Sequence, residues 1–182
     1  MRWLDRLRMR WSERFGTLVA VTTLLLAGLA TLATFQSATY GNDALLAQTE
    51  LTNCWSYYQA KSIKQHLFQL HRDMLISQPS TAETTETVAR YEEEIARYRQ
   101  EKYALIEKAA ELERTREEAE RRAARFGESL LYLQVGLLLS SLASVGRVPY
   151  YWYGALIAGA GGLIVLASTY VHLTRQYKRH PV

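Results

Sequence analysis

The residues best suited to chemistry are gathered between Cys54 and His71. The run WSYYQAKSIK, residues 55–64, packs aromatic rings, hydroxyls and two ammonium groups into about three helical turns. Such a mixture suits a binding surface, because rings supply apolar contact and attract cations while lysines pair with carboxylates. On a helix, Trp55, Tyr58 and Ser62 share one face and Tyr57, Lys61 and Lys64 another. Packing plus a solvated basic edge therefore explains much of the run, and what remains is a candidate interaction surface: Trp55, Tyr57, Tyr58, Lys61 and Lys64. Lys61 or Lys64 is expected to pair with acids such as Glu94 or Glu101 on a neighbouring helix, which sets register more than it adds stability.

Other constellations lead away from catalysis. His66 and His71 lie five apart, about 140° around a helix, so they do not present two ligands to one metal as an i, i+4 pair would. The single cysteine, Cys54, excludes an internal disulfide and a cysteine metal cluster within one chain, and reads as a buried thiol. No nucleophile elbow, phosphate-cradling loop or carboxylate pair stands out; Gly161 and Gly162 lie inside an apolar run. The expectation is a protein that is not an enzyme and takes no cofactor and no metal. The net charge of +4 is modest, and the bases of the middle segment alternate with acids at helical spacing, so no nucleic-acid partner is expected.

The elements that carry these residues follow from hydropathy. A mean hydropathy just below zero averages three apolar blocks with a charged middle. With only ten Gly and three Pro in 182 residues, the middle reads as helix, and almost no strand is expected.

Residues 15–35 carry no charge and, at 1.5 Å per residue, span about 30 Å of hydrocarbon. Five arginines precede them, and Trp3, Leu4, Leu7 and Trp11 among those bases predict an amphipathic lead-in over residues 1–14. The run is long and no good cleavage site follows, so it reads as an uncleaved anchor and not a signal peptide. Residues 129–146 and 150–173 form the second and third spans, the latter opening with the interfacial cluster Tyr150, Tyr151, Trp152 and Tyr153. Only a tight corner separates them, so they are antiparallel neighbours. A basic tail, 174–182, closes the chain. In the third span Gly154, Ala155, Ala158, Gly159 and Gly162 form a small-residue packing face, expected to serve at least partly between copies.

Between the first two spans lies an extramembrane helical hairpin, residues 36–128, with its turn near 77–81 at Gln78, Pro79 and Ser80. Its second limb carries apolar residues in steps of three and four: Val88, Tyr91, Ile95, Tyr98, Leu105, Ala109, Leu112, Ala119, Ala123 and Phe126. The row continues into the second span through Leu130, Leu133 and Leu137, and only Lys102 and Arg116 interrupt it. This is a coiled-coil seam. The first limb is expected to face it through Leu46, Thr49, Asn53, Ser56, Ala60, Ile63, Leu67, Leu70 and Met74. Gly41 and Gly127 are candidate hinges; around Tyr40, Gly41, Asn42 and Asp43 a helix stop and restart is predicted.

The fold class is thus all-α: three transmembrane helices with a long antiparallel coiled-coil hairpin between the first and second. Counting bases on each side gives a tie, but five arginines precede the first span and no Lys or Arg follows it until Lys61. The N-terminus is therefore expected in the cytoplasm and the hairpin on the outer side of the inner membrane. The expected partners are the lipid bilayer and either further copies in a homo-oligomer or another membrane protein. The function read from this is a scaffold or partner-binding protein. The alternative is an oligomeric channel or transport component lined by Thr17, Thr22, Thr23, Thr31 and Thr34 or by Ser140, Ser141 and Ser144.

The segments YGNDALLAQ, WSYYQAKSIKQHL and GRVPYYWY, in this order between helical runs, resemble the bacterial membrane-protein family catalogued as domain of unknown function 4337. Gly41, Asn42, Ala44, Leu45, Gln48, Trp55, Tyr58, Gln59, Ala60, Lys61, Ser62 and Lys64 carry most of the likeness, which covers nearly the whole chain. The family's corner between its last two helices is more basic than the single Arg147 here, which weakens that cue to topology. The resemblance implies location and architecture, and no activity.

Overall fold

The computed structural model describes the backbone of residues 2–77, 79 and 81–179, and the side chains of residues 15–77, 79 and 81–171. Three helices account for nearly all of it: α1 (Arg2–Ile76), α2 (Ala82–Gly146) and α3 (Pro149–Arg179). No strand occurs among the described residues. Each helix contains a stretch long and apolar enough to cross a membrane, within Phe15–Ile76, Ala82–Gly146 and Pro149–Val171. The side chains of the amphipathic lead-in and of the basic tail, and residues Gln78 and Ser80 of the expected turn, lie outside the described residues.

The chain divides into two compact units. The first combines Met1–Asn42 with Ala119–Val182 and is a three-helix bundle. Leu26, Ala30 and Ala33 of α1 and Leu133 of α2 form its centre, with Leu29, Leu130, Leu137 and Leu166 packed around them. Its corner is sharp. Gly146 ends α2, Arg147 adopts a left-handed φ of 49°, and Pro149 opens α3, where its missing N–H costs nothing.

The second unit, Asp43–Glu118, pairs the rest of α1 with the start of α2. Cross-helix contacts run in opposite chain order: Gln48 with Arg116, Cys54 with Leu105, Ser62 with Lys102, and Phe68 with Tyr98 and Tyr91. Leu51, Cys54 and Ala109 form its buried apolar centre, flanked by Leu105 and Leu112. At the end of this unit Ser77 N–H donates to the Asp73 carbonyl, closing α1. Thr81 then caps α2: its Oγ1 accepts from Thr84 N–H while its own N–H donates to Thr84 Oγ1, a capping box with threonine in the usual Glu position.

Two expectations are corrected. α1 runs unbroken through Tyr40, Gly41, Asn42 and Asp43, where a stop and restart is predicted. Glycine and asparagine together disfavour the helix by about 1.5 kcal/mol. Burial of Ala44 and Ala47 on one side and the stacking of Tyr40 on Phe126 on the other outweigh that cost. α2, by contrast, continues through Gly127 as its apolar row, running on into the second span, predicts, and a Cβ there would meet only Ser37 Oγ at 3.8 Å.

The second correction concerns the face of α1. The seam expected on α2 is the one that packs: Ile95, Tyr98, Ala109 and Ala119 are buried, and Lys102 and Arg116 are half-buried in the same row. On α1, however, all nine residues from Leu46 to Met74 assigned to the seam are exposed. The row that faces α2 is Ala44, Ala47, Leu51, Cys54, Tyr58, Lys61, Gln65, Phe68, Arg72 and Leu75, every member buried or half-buried. It has the same three-four rhythm, shifted by two residues, which on a helix is close to the opposite side. Small residues at Ala44, Ala47 and Cys54 let the helices approach closely; Tyr58, Lys61 and Gln65 are paired across the contact, and Arg72 pairs with its neighbour Asp73.

Candidate interaction site

The polar members of the inward row build the most distinctive site in the Asp43–Glu118 unit. Lys102 Nζ reaches from α2 to Ser62 Oγ (3.2 Å) and Gln65 Oε1 (3.1 Å) and lies 5.0 Å from the centre of the Tyr58 ring. One turn away the roles reverse. Lys61 reaches from α1 to Glu101 and lies 5.4 Å from the Tyr98 ring centre. Arg97 covers the same ring and ties Glu94 and Glu101 together. Two lysines thus cross in opposite directions, each between an aromatic face and a polar acceptor on the other helix.

The electrostatics follow the geometry. The Lys61 hydrogen bond holds the Glu101 carboxyl below its ordinary range; partial desolvation opposes this, and the charges of Lys61, Arg97 and Lys64 add to it. Arg116, the other break in the α2 seam, donates to Gln48 Oε1 at 2.8 Å.

The five residues of the predicted surface are therefore split. Tyr58 and Lys61 face α2 and belong to the cross-helix layer, and the expected pairing of Lys61 with Glu101 is present. Trp55, Tyr57 and Lys64 are exposed, with Trp55 edge-on to Tyr58 at 5.6 Å. Gln65, Tyr98, Glu101 and Lys102 were not singled out by the sequence as a site. Their signal is that the α2 seam breaks at Lys102 and Arg116, and each break meets a polar residue of α1. Among the described residues no cluster of His, Cys, Asp and Glu is arranged to hold a metal; His66 bonds Gln69, and His71 lies against Tyr91. Cys54 is buried, its thiol donating to the Leu105 carbonyl.

In the three-helix unit the small residues of α3 are used within the chain. Ala155 is fully buried, and a Cβ added at Gly159 would lie 2.6 Å from Leu26 Cδ2. One at Gly162 would lie 2.8 Å from Leu133 Cγ and 3.1 Å from the Ser129 carbonyl. Gly154 faces Leu139, and Ala158 is half-buried. Close approach is required at Gly162 because the facing atoms include backbone. Hydroxyls are also spent internally: Thr23 and Ser140 bond each other at 2.7 Å, Trp152 Nε1 donates to Thr22 Oγ1, and Thr31, Thr34 and Ser141 donate to carbonyls one turn back.

Aromatic rings collect at two levels of this unit. Phe15 meets Trp152 edge-on, and Trp152 contacts Tyr153. At the other level Phe126, fully buried, stacks on Tyr40 and takes Tyr170 at its edge; Arg122 lies over Tyr40, and Gln36 donates to Tyr170. Along α3, Trp152 and Tyr170 are about 27 Å apart at 1.5 Å per residue.

A family model described as a domain of unknown function (DUF4337) matches residues 15–172. The chain belongs to this family. The DUF4337 match takes in both the lysine layer and the two aromatic levels. Neither a curated protein nor a solved structure shows a significant match.

Proposed function

We propose that this DUF4337 protein is a non-enzymatic scaffold of the cytoplasmic membrane, anchored by its three-helix unit and binding partners through an antiparallel coiled-coil hairpin. The spacing of the two aromatic levels supports the anchoring, since about 27 Å between Trp152 and Tyr170 approximates the hydrocarbon thickness of a bilayer. The observation that carries the binding role is the outward row of α1 in the hairpin: apolar at Ile63, Leu67, Leu70 and Met74, spaced as a helix-docking stripe, and at least half exposed among the described residues. The steep basic contrast across the first span supports a cytoplasmic N-terminus and an outward hairpin.

Labelling of cysteine variants in intact cells tests this reading. With a membrane-impermeant thiol reagent, Tyr103→Cys, on the exposed side of α2, is expected to label from outside. Protection until the cells are lysed inverts the sidedness. Extraction of the protein by alkaline carbonate without detergent removes the anchored reading altogether.

A further inference from the structure

The exposed row of α1 points to one occupant in particular. Leu46, Thr49, Asn53, Ser56, Ala60, Ile63, Leu67, Leu70 and Met74 recur in steps of three and four, all exposed, on the side of α1 turned from the row that packs on α2. The four large residues at its distal half are at least half exposed: Ile63 61%, Leu67 50%, Leu70 51% and Met74 53%. A helix with two heptad rows on opposite sides, one filled from within the chain, is built to receive a second helix on the other.

We infer that this row is the contact through which two copies of the chain associate, α1 against α1. The proposal rests on the membrane-scaffold reading and names its partner.

Charge favours an identical partner. In a two-fold pairing like meets like, so any charge in the central row would meet its own kind. None of the nine positions carries one, whereas the exposed side of α2 in the same unit bears Glu93, Arg99, Glu107, Glu111 and Arg114.

Area points the same way. The row is about 42 Å long and, on a helix about 10 Å wide, covers about 400 Å² per copy. A specific complex assembled from solution buries about 800 Å² per partner. A stripe of half that size holds a partner already confined beside it, and the membrane anchor confines other copies of the same chain. The small-residue face of α3, the other surface expected to join copies, is occupied by Leu26 and Leu133 of its own chain.

The test uses the full chain in its native membranes with Cys54→Ala and single cysteines at Leu67 or Leu70. Gln100→Cys and Glu107→Cys on the exposed side of α2 serve as controls. A short bismaleimide joins these positions whichever way the two helices run. Dimer yields at Leu67→Cys and Leu70→Cys are expected to exceed the controls by about tenfold, and Leu70→Asp in the Leu67→Cys chain is expected to lower the yield about tenfold with helicity and melting unchanged. Equal yields at stripe and control positions, or a dimer that survives Leu70→Asp, overturn the proposal. Stripe cysteines that join only a different membrane protein overturn self-pairing while leaving the scaffold reading intact; stripe cysteines that join nothing overturn both.

Discussion

Lys102 and Gln65 are joined across the two-helix unit by a bond of 3.1 Å from Nζ to Oε1, and Gln65 is as buried as the apolar Leu51, about four turns earlier in the same row. A lysine in an otherwise apolar row between two packed helices lowers stability in exchange for a unique register, provided its protons find acceptors. Here Ser62 and Gln65 are those acceptors, and the Tyr58 ring faces the remaining charge.

Lys102→Met is expected to cost about 1–2 kcal/mol by leaving the buried Gln65 carbonyl without its donor. Adding Gln65→Leu removes the orphaned acceptor and restores a large part of that loss. A double-mutant cycle on thermal melting checks this; additivity of the two changes would refute the coupling.

The depressed Glu101 carboxyl gives a pH dependence of known sign. Its charged form is favoured in the folded state, first by the Lys61 hydrogen bond. The associated stability is therefore complete above the ordinary carboxylate pKa and is lost as pH falls through the lower folded value. Glu101→Gln is expected to lower the melting temperature at about pH 7 and to narrow its distance from the unmodified protein at about pH 3. A constant difference across that range would show that the ion pair is not the cause.

Gly162→Ala is expected to destabilise the three-helix unit by about 1–3 kcal/mol, because its Cβ would press on Leu133 and on the Ser129 carbonyl. Gly154→Ala meets only the end of the Leu139 side chain and is expected to cost less. Unfolding in detergent ranks the two.

Arg147 holds a left-handed backbone that glycine adopts without strain. Arg147→Gly is expected to stabilise the corner by about 1 kcal/mol, and Arg147→Val to destabilise it. Melting of both variants checks the sign.

Much of the fold is legible in the chain because its apolar rows are long. The α2 seam from Val88 to Leu137 is apolar at nearly every step, and those residues are the ones that pack. The α1 partner row is illegible by the same criterion. Its inward members include Lys61, Gln65 and Arg72, whereas its outward row holds Ile63, Leu67, Leu70 and Met74, so apolarity selects the wrong side. Lys61 and Gln65 are tolerated inside because their partners stand opposite, whereas Arg72 pairs with its neighbour Asp73; pairing across sixty-eight positions, as between Gln48 and Arg116, leaves no local trace. The unbroken helix at Gly41 was hidden for a related reason: local propensity marks a break there, and contacts distant in sequence override it.

Phe126 has a consequence for synthesis. It belongs to α2, but its ring is sealed by Tyr40 of α1 and Tyr170 of α3, and the latter is made forty-four residues later. Until α3 emerges, the nascent chain carries a large ring with one side open and Leu133 without the glycine that accommodates it. Maturation of the bundle therefore waits on the last helix, and a chain halted after Gly146 presents to quality-control proteases the surface that the finished protein conceals.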